Sequence, residues 1–258
     1  LTAGAAVVLF QAGGPAPILR ADAAWIPGLG IRFSLALDGI SLLLALLTSL
    51  LISVCVLVSW RAVTDRAAAY YGCLLIAQTG ILGVFMAADL FLFYLFWEFQ
   101  IIPLFFLIGI WGHEDRRRAA VKFIIYTLAG SFVMLLAVIG IYLAHGLPTG
   151  QYSFSLELLR QTRVGADAQL GLCILFLIGF AVKIPMVPLH TWLPDAHTQA
   201  PTAGSVILAG LLLKTGVYGL ARVVFPLFPQ AAPQVAPVLA ALGLAAVYYA
   251  AWIAFAQG

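Results

Sequence analysis

Seven stretches of this chain stay apolar for about the 20 residues that a helix needs to cross a bilayer. They cover roughly residues 33–60, 70–88, 90–111, 119–145, 169–190, 203–225 and 235–256. In water their side chains would have nothing to cover them. The chain is 64% hydrophobic and only 9% charged, against roughly 25% charged in a soluble domain. Lipid is the solvent that removes the need for a charged surface. In lipid every backbone N–H and C=O must be satisfied within the protein, which leaves helices as the economical answer to such runs. The expected fold is an all-α, polytopic transmembrane helix bundle of about seven full spans.

The rest of the composition narrows the class. A net charge of +3 spread along 258 residues makes no basic patch for nucleic acid. Cys55, Cys73 and Cys173 are far apart inside apolar runs, so they read as small apolar fillers rather than a disulfide framework or a metal site. There is no GxGxxG, no P-loop and no His/Cys cluster for haem or iron–sulfur. The chain is therefore expected to carry no cofactor of its own. The opening run LTAGAAVVLFQAGG has no basic residue before it and is too short to span. Residues 1–12 read as the end of a preceding helix, and the chain as an internal fragment of a longer protein.

The connections are short. The longest, about 146–168, holds Gly146, Pro148, Gly150 and an amphipathic SLELLRQTR. Residues 13–32, with Gly, Pro and Trp25, have no room for a soluble domain. Arg61 and Arg66 fall on the same side as Arg116, Arg117, Arg118 and Lys122, so the positive-inside rule puts residues 61–69 and 112–121 in the cytoplasm. The chain is expected to cross a membrane several times.

Most charges sit at the ends of runs, where they cost little. Glu98, Lys183 and Lys214 sit deep in the third, fifth and sixth runs. Each costs roughly 2.5–3.5 kcal/mol at the centre of a helix facing lipid. All three are expected to face the bundle interior. A Glu98–Lys183 pair would cancel most of the charge and leave Lys214 to water or a polar neighbour. Lysines in low dielectric shed protons readily, which makes the set a candidate proton relay. The alternative is a static ion pair that only holds helices together.

Pro185 and Pro188 follow Lys183 at once. Each removes a backbone donor and clashes with the preceding turn, so the helix must break there. Broken helices at membrane depth are tolerated where they line a wet cavity. The polar stretch beyond holds His190, Asp195 and His197. The two histidines are seven apart on one helical face, but Pro194 between them argues against a helix-borne metal site. A wet proton-uptake path suits them, with an ordinary interfacial loop as the alternative. Asp38 and Ser41 read as a helix cap. Tyr126 and Thr127 are placed to face a wet interior, and the Phe-rich run from Phe91 to Phe106 reads as packing and lipid-facing surface.

Two long motifs carry a resemblance. VKIPMVPLHTWLPDAHTQAPTAGSVILAGLLLKTGVYGLARV and DLFLFYLFWEFQIIPLFFLIGIWG resemble the antiporter-like membrane subunits of respiratory complex I, the proton-pumping NADH:quinone oxidoreductase, and within them the M type. The resemblance implies a proton-translocating membrane-arm subunit, located in the bacterial inner membrane and crossing it several times. It casts Glu98 as the mid-membrane glutamate, Lys183 as the lysine of the broken helix, Lys214 as the lysine that passes protons onward, and His190 as a supporting group. It implies a division into a scaffold span at 33–60, a first half-channel repeat at 70–225 and the start of a second repeat at 235–256, all within one transmembrane domain. It implies L-type and N-type neighbours, with NADH, flavin, iron–sulfur clusters and quinone held by partner subunits. The alternatives are a subunit of a multi-subunit cation/proton antiporter, the membrane arm of a hydrogenase, or a structural anchor.

Overall fold

The structure is a computed structural model and describes residues 19–256. Residues 1–12, read as the end of a preceding helix, lie outside the described residues. The described chain begins with an antiparallel hairpin, β1 (Leu19–Ile26) and β2 (Ile31–Leu37), with Leu19 opposite Leu37 and Asp22 opposite Ser34. Pro27 opens the single 3-10 turn between them, and Gly30 closes it at φ 69°. Only glycine fits at that point, because a Cβ there would lie 2.0 Å from the Tyr152 carbonyl oxygen. Arg32 grips Asp22 with both arms of its fork, Nε and Nη2 donating at 2.9 and 2.8 Å.

This hairpin corrects the reading of 33–60 as one helical run. Residues 33–37 belong to a strand. The helix starts at Gly39, because Asp38 accepts the Ser41 N–H at 2.9 Å and caps it.

Seven helices follow that are long and apolar enough to cross a membrane, as the runs predict. They are α1 (Gly39–Ser59), α2 (Ala67–Met86), α3 (Leu90–Trp111), α4 (Arg116–Thr149), α6 (Ala166–Lys183), α8 (Thr202–Leu227) and α9 (Ala232–Ala256). Two short helices, α5 (Leu156–Leu159) and α7 (Trp192–Gln199), sit in the connections. The chain is a multi-pass, all-α membrane protein with the β1–β2 hairpin added at one end. At roughly 1.5 Å per residue α4 is about 51 Å long and projects beyond a hydrocarbon core of about 30 Å.

Several helices are interrupted for local reasons. The α3 helix breaks at Gln100, three residues before Pro103, which has no N–H to return to the Phe99 carbonyl. The fifth run stops being helical at Lys183. Pro185 has no N–H for the Ala181 carbonyl, which takes the Met186 N–H at 2.9 Å instead, and Val187–Pro188 is cis. Within α8, residues Leu208–Leu212 and Leu220–Val224 are π-helical.

Packing is tightest between α4 and α6. A Cβ on Gly130 would come 2.8 Å from Val182 Cγ2, and one on Gly179 would come 2.7 Å from Met134 Cβ. Small residues let membrane helices close on each other in this way. An aromatic core of Phe93, Trp97, Phe176, Phe180 and Phe228 fills the space between α3, α6 and the end of α8. At one end of the bundle the α2–α3 turn is laced to β2 and to the 150–156 loop: Ala88 N donates to Ser34 O, and Leu90 N to Phe154 O. At the other end Trp111 Nε1 donates to Asp65 O, and His113 N to Gln199 O. The turns that follow α1, α3 and α7 therefore meet on one side.

Candidate functional site

Lys183 is the last residue of α6 and is 1% exposed. Its Nζ donates to the Trp97 carbonyl at 3.1 Å and stands 3.6 Å from the centre of the Trp97 ring. The Gln100 amide donates to the same carbonyl at 3.3 Å. Trp97 is itself fixed by its indole N–H, which donates to Ser131 Oγ on α4 at 3.1 Å. A second buried indole, Trp192 of α7, donates to the Val182 carbonyl at 2.9 Å and ties the broken end of α6 to the segment beyond.

Glu98 follows Trp97 in α3. Both its carboxylate oxygens are buried and have no hydrogen-bond partner among the described residues. The expected Glu98–Lys183 ion pair is not formed. The reason is geometric: the lysine reaches the backbone and ring of the residue beside Glu98 instead, so one carbonyl dipole and a π-face solvate the ammonium.

Lys214 is placed differently. It lies just after the first π-helical segment of α8, and its Nζ donates to the Ala209 carbonyl at 3.1 Å. Lys214, Val217 and Ala221 form an exposed stripe, while Thr215, Gly216, Tyr218 and Gly219 are buried. The expectation that Lys214 faces the interior of these helices is corrected. The inner face of α8 closes onto α6 through glycine, a Cβ on Gly219 coming 2.2 Å from Phe180 Cε1. No room remains there for a lysine.

The residues of the uptake segment divide. Asp195 accepts from Lys122 Nζ on α4 at 2.7 Å, and Thr191 donates to Tyr126 OH, one turn further along α4, at 2.8 Å. Ser131 follows on the same helix. Three polar side chains of α4 thus step from the Gln199 end towards Lys183. Thr127 does not join them, because its hydroxyl donates to its own helix at Phe123 O. His190 stands edge-on to Tyr249 of α9, 5.1 Å between ring centres, with Nδ1 buried and unpartnered. His197 is exposed. Among the described residues no cluster of three His, Cys, Asp or Glu side chains could hold a metal. The sequence reading passed over Trp97, Gln100, Ser131 and Trp192. The adjacency of Trp97 to Glu98 was the one signal available.

Residues 87–258, which contain every group just described, match the family described as NADH:quinone oxidoreductase/Mrp antiporter, transmembrane. The chain belongs to this family. Subunit M of NADH-quinone oxidoreductase from Escherichia coli (strain K12) is 47% identical over 241 residues, covering 92% of this chain and 47% of that protein. A chain of respiratory complex I from Thermus thermophilus with bound NADH superimposes with a TM-score of 0.86 at 33% identity, over 99% of this chain and 53% of that one. A chain of the Mrp complex from Dietzia sp. superimposes with a TM-score of 0.74 at 25% identity, over 89% of this chain and 25% of that one. The chain spans about half the length of the curated relatives it matches. Within the family, its likenesses are to subunits of multi-subunit membrane complexes.

Proposed function

We propose that this chain forms proton-translocating machinery in the membrane arm of an NADH:quinone oxidoreductase, beside L-type and N-type neighbours. Redox chemistry takes place on NADH, flavin, iron–sulfur clusters and quinone in other subunits. Glu98, Lys183 and Lys214 hold and pass the proton. The observation that carries the reading is the buried Lys183 at a broken helix end, held by a neutral carbonyl and a ring, with the orphaned carboxylate of Glu98 one residue away. A charge so held is expensive as scaffolding and useful as a carrier, since a carbonyl and a ring hold Nζ less firmly than a carboxylate in contact would.

In this reading protons enter from the end that holds residues 61–69 and 112–121, facing the cytoplasm. They follow the step from Asp195 and Lys122 through Thr191 and Tyr126 towards Lys183. His190 and His197 support uptake, and the break at Pro185 and Pro188 leaves backbone carbonyls free to order water there. The charge on Glu98 biases the proton on Lys183 by Coulomb attraction, and Lys214 receives it on the outer face of α8. Residues 70–225 form the first half-channel repeat and 235–256 begin a second.

In membrane vesicles that carry the whole complex, Glu98→Ala and Lys214→Ala are each expected to abolish NADH-driven acidification, followed by a pH-sensitive dye, while assembly persists on native gels. Wild-type acidification by an assembled Lys214→Ala complex would refute the relay. The likeness to the Mrp chain favours a second reading, exchange of a metal cation for protons. Acidification that needs sodium and not NADH would select it.

A further inference from the structure

Two adjoining clefts open at the hairpin end of the bundle, of about 360 and 460 Å³. Asp38, Arg160 and Arg222 line both. Arg222 Nη1 pairs with Asp38 Oδ2 at 2.6 Å, while its Nε is buried without a partner. Arg160 Nη2 donates to the Arg222 carbonyl at 3.0 Å and pairs with no carboxylate among the described residues. Arg20 and Glu157 complete the smaller cleft with a loose, exposed pair at 3.6 Å. Three arginines against two carboxylates leave one positive charge unmatched. Burial, and then the neighbouring Arg222, hold the Arg160 pKa below its ordinary value, so an anion between the two guanidiniums would relieve both.

The larger cleft then runs away from these charges along Ile40, Leu44, Val217 and Pro226. Ile40 is 63% and Val217 57% exposed, on α1 and α8, both long and apolar enough to cross a membrane. A charged mouth that continues into an apolar trough between spans is the shape of a lipid, head and tail.

We propose that Arg160 and Arg222 bind the phosphate of an anionic phospholipid whose acyl chain lies along Ile40, Leu44 and Val217. Selection is for lipids with no headgroup cation. The choline of phosphatidylcholine would set a second positive charge against Arg20, Arg160 and Arg222. Phosphatidylglycerol would not.

The test uses the whole complex in vesicles that contain either phosphatidylglycerol or phosphatidylcholine with a photoactivatable group in the acyl chain. Labelled peptides are mapped by mass spectrometry. Phosphatidylglycerol is expected to label residues 38–46 and 214–226 in clear preference to phosphatidylcholine, and excess inorganic phosphate is expected not to displace it. Arg160→Gln should lower that labelling roughly tenfold, as for loss of one charge-assisted contact, and Arg160→Lys should restore part of it. Equal labelling by both lipids, no labelling by either, displacement by inorganic phosphate, or unchanged labelling in an assembled Arg160→Gln complex would each overturn the proposal. The lipid preference is read on the wild type, so it decides the matter even where the variant fails to assemble.

Discussion

Lys183 and Lys214 sit on neighbouring spans that touch through glycine, yet their surroundings have little in common. The Lys183 ammonium lies on a carbonyl and an indole face, and the indole is held in turn by Ser131. Lys214 is exposed, and it leans back on a carbonyl of its own helix. The first lysine is enclosed by α3, α4 and α6. The second meets a cleft that it shares with Asp38, Tyr218 and Arg222. The contrast teaches that burial of a charge and its place in a relay are separate matters. Lys183 is positioned by packing, and Lys214 by the winding of its helix.

Replacing each lysine separates the two roles most sharply. Lys183→Met fills the same space with an apolar chain, and the Trp97 carbonyl keeps the Gln100 amide. Proton pumping is expected to vanish, while the thermal midpoint of the assembled complex holds or rises, since exchanging a buried charge for a packed apolar group is often neutral or stabilising. A large drop in midpoint with pumping retained would make Lys183 a strut instead. Next in size, Gly179→Leu should cost about 1–3 kcal/mol or more by overpacking against Met134, seen as loss of assembly or a lower midpoint. A Cβ on Gly72 meets nothing within 4 Å among the described residues, so Gly72→Ala should be silent by comparison.

Smaller still is the Lys122–Asp195 pair at the mouth of the uptake segment. It is partly exposed, with side chains 31% and 47% accessible, so a double-mutant cycle should give about 0–1 kcal/mol of coupling that shrinks with salt. Its loss should alter the salt dependence of pumping more than its maximum. The smallest effect concerns Asp38. Burial raises its pKa, but the Ser41 amide and hydroxyl and then the Arg222 guanidinium outweigh burial and hold it below the ordinary value. A depressed folded pKa gives stability that is present above about pH 3.9 and is lost as pH falls through the folded value. Asp38→Asn should flatten that acid limb in thermal unfolding measured across pH.

The spans were legible because a run of about 20 apolar residues has few other uses. Asp38 as a cap, and the break at Pro185 and Pro188, were legible from local chemistry alone. The hairpin was not: β2 is seven residues long and merges with the apolar run of α1, so hydropathy hides the seam at Asp38. Lys183, deep in its run, was legible as a buried charge, but its partner was not. Trp97 and Lys183 are 86 residues apart, and only the packing of α3 on α6 brings them together. The outward turn of Lys214 was hidden for another reason. A span apolar on nearly every side has no polar stripe to give its rotation away.

The two π-helical segments of α8 act as phase shifters. Each lodges an extra residue in a turn, and at about 100° per residue that re-aims everything downstream by more than a quarter of a revolution. The helix can thus present Thr215, Gly216 and Gly219 inward and Lys214 outward, while still bringing Arg222 round to Asp38. Deleting a single residue from Leu208–Leu212 would leave the composition almost untouched, yet it would point Lys214 at a different neighbour.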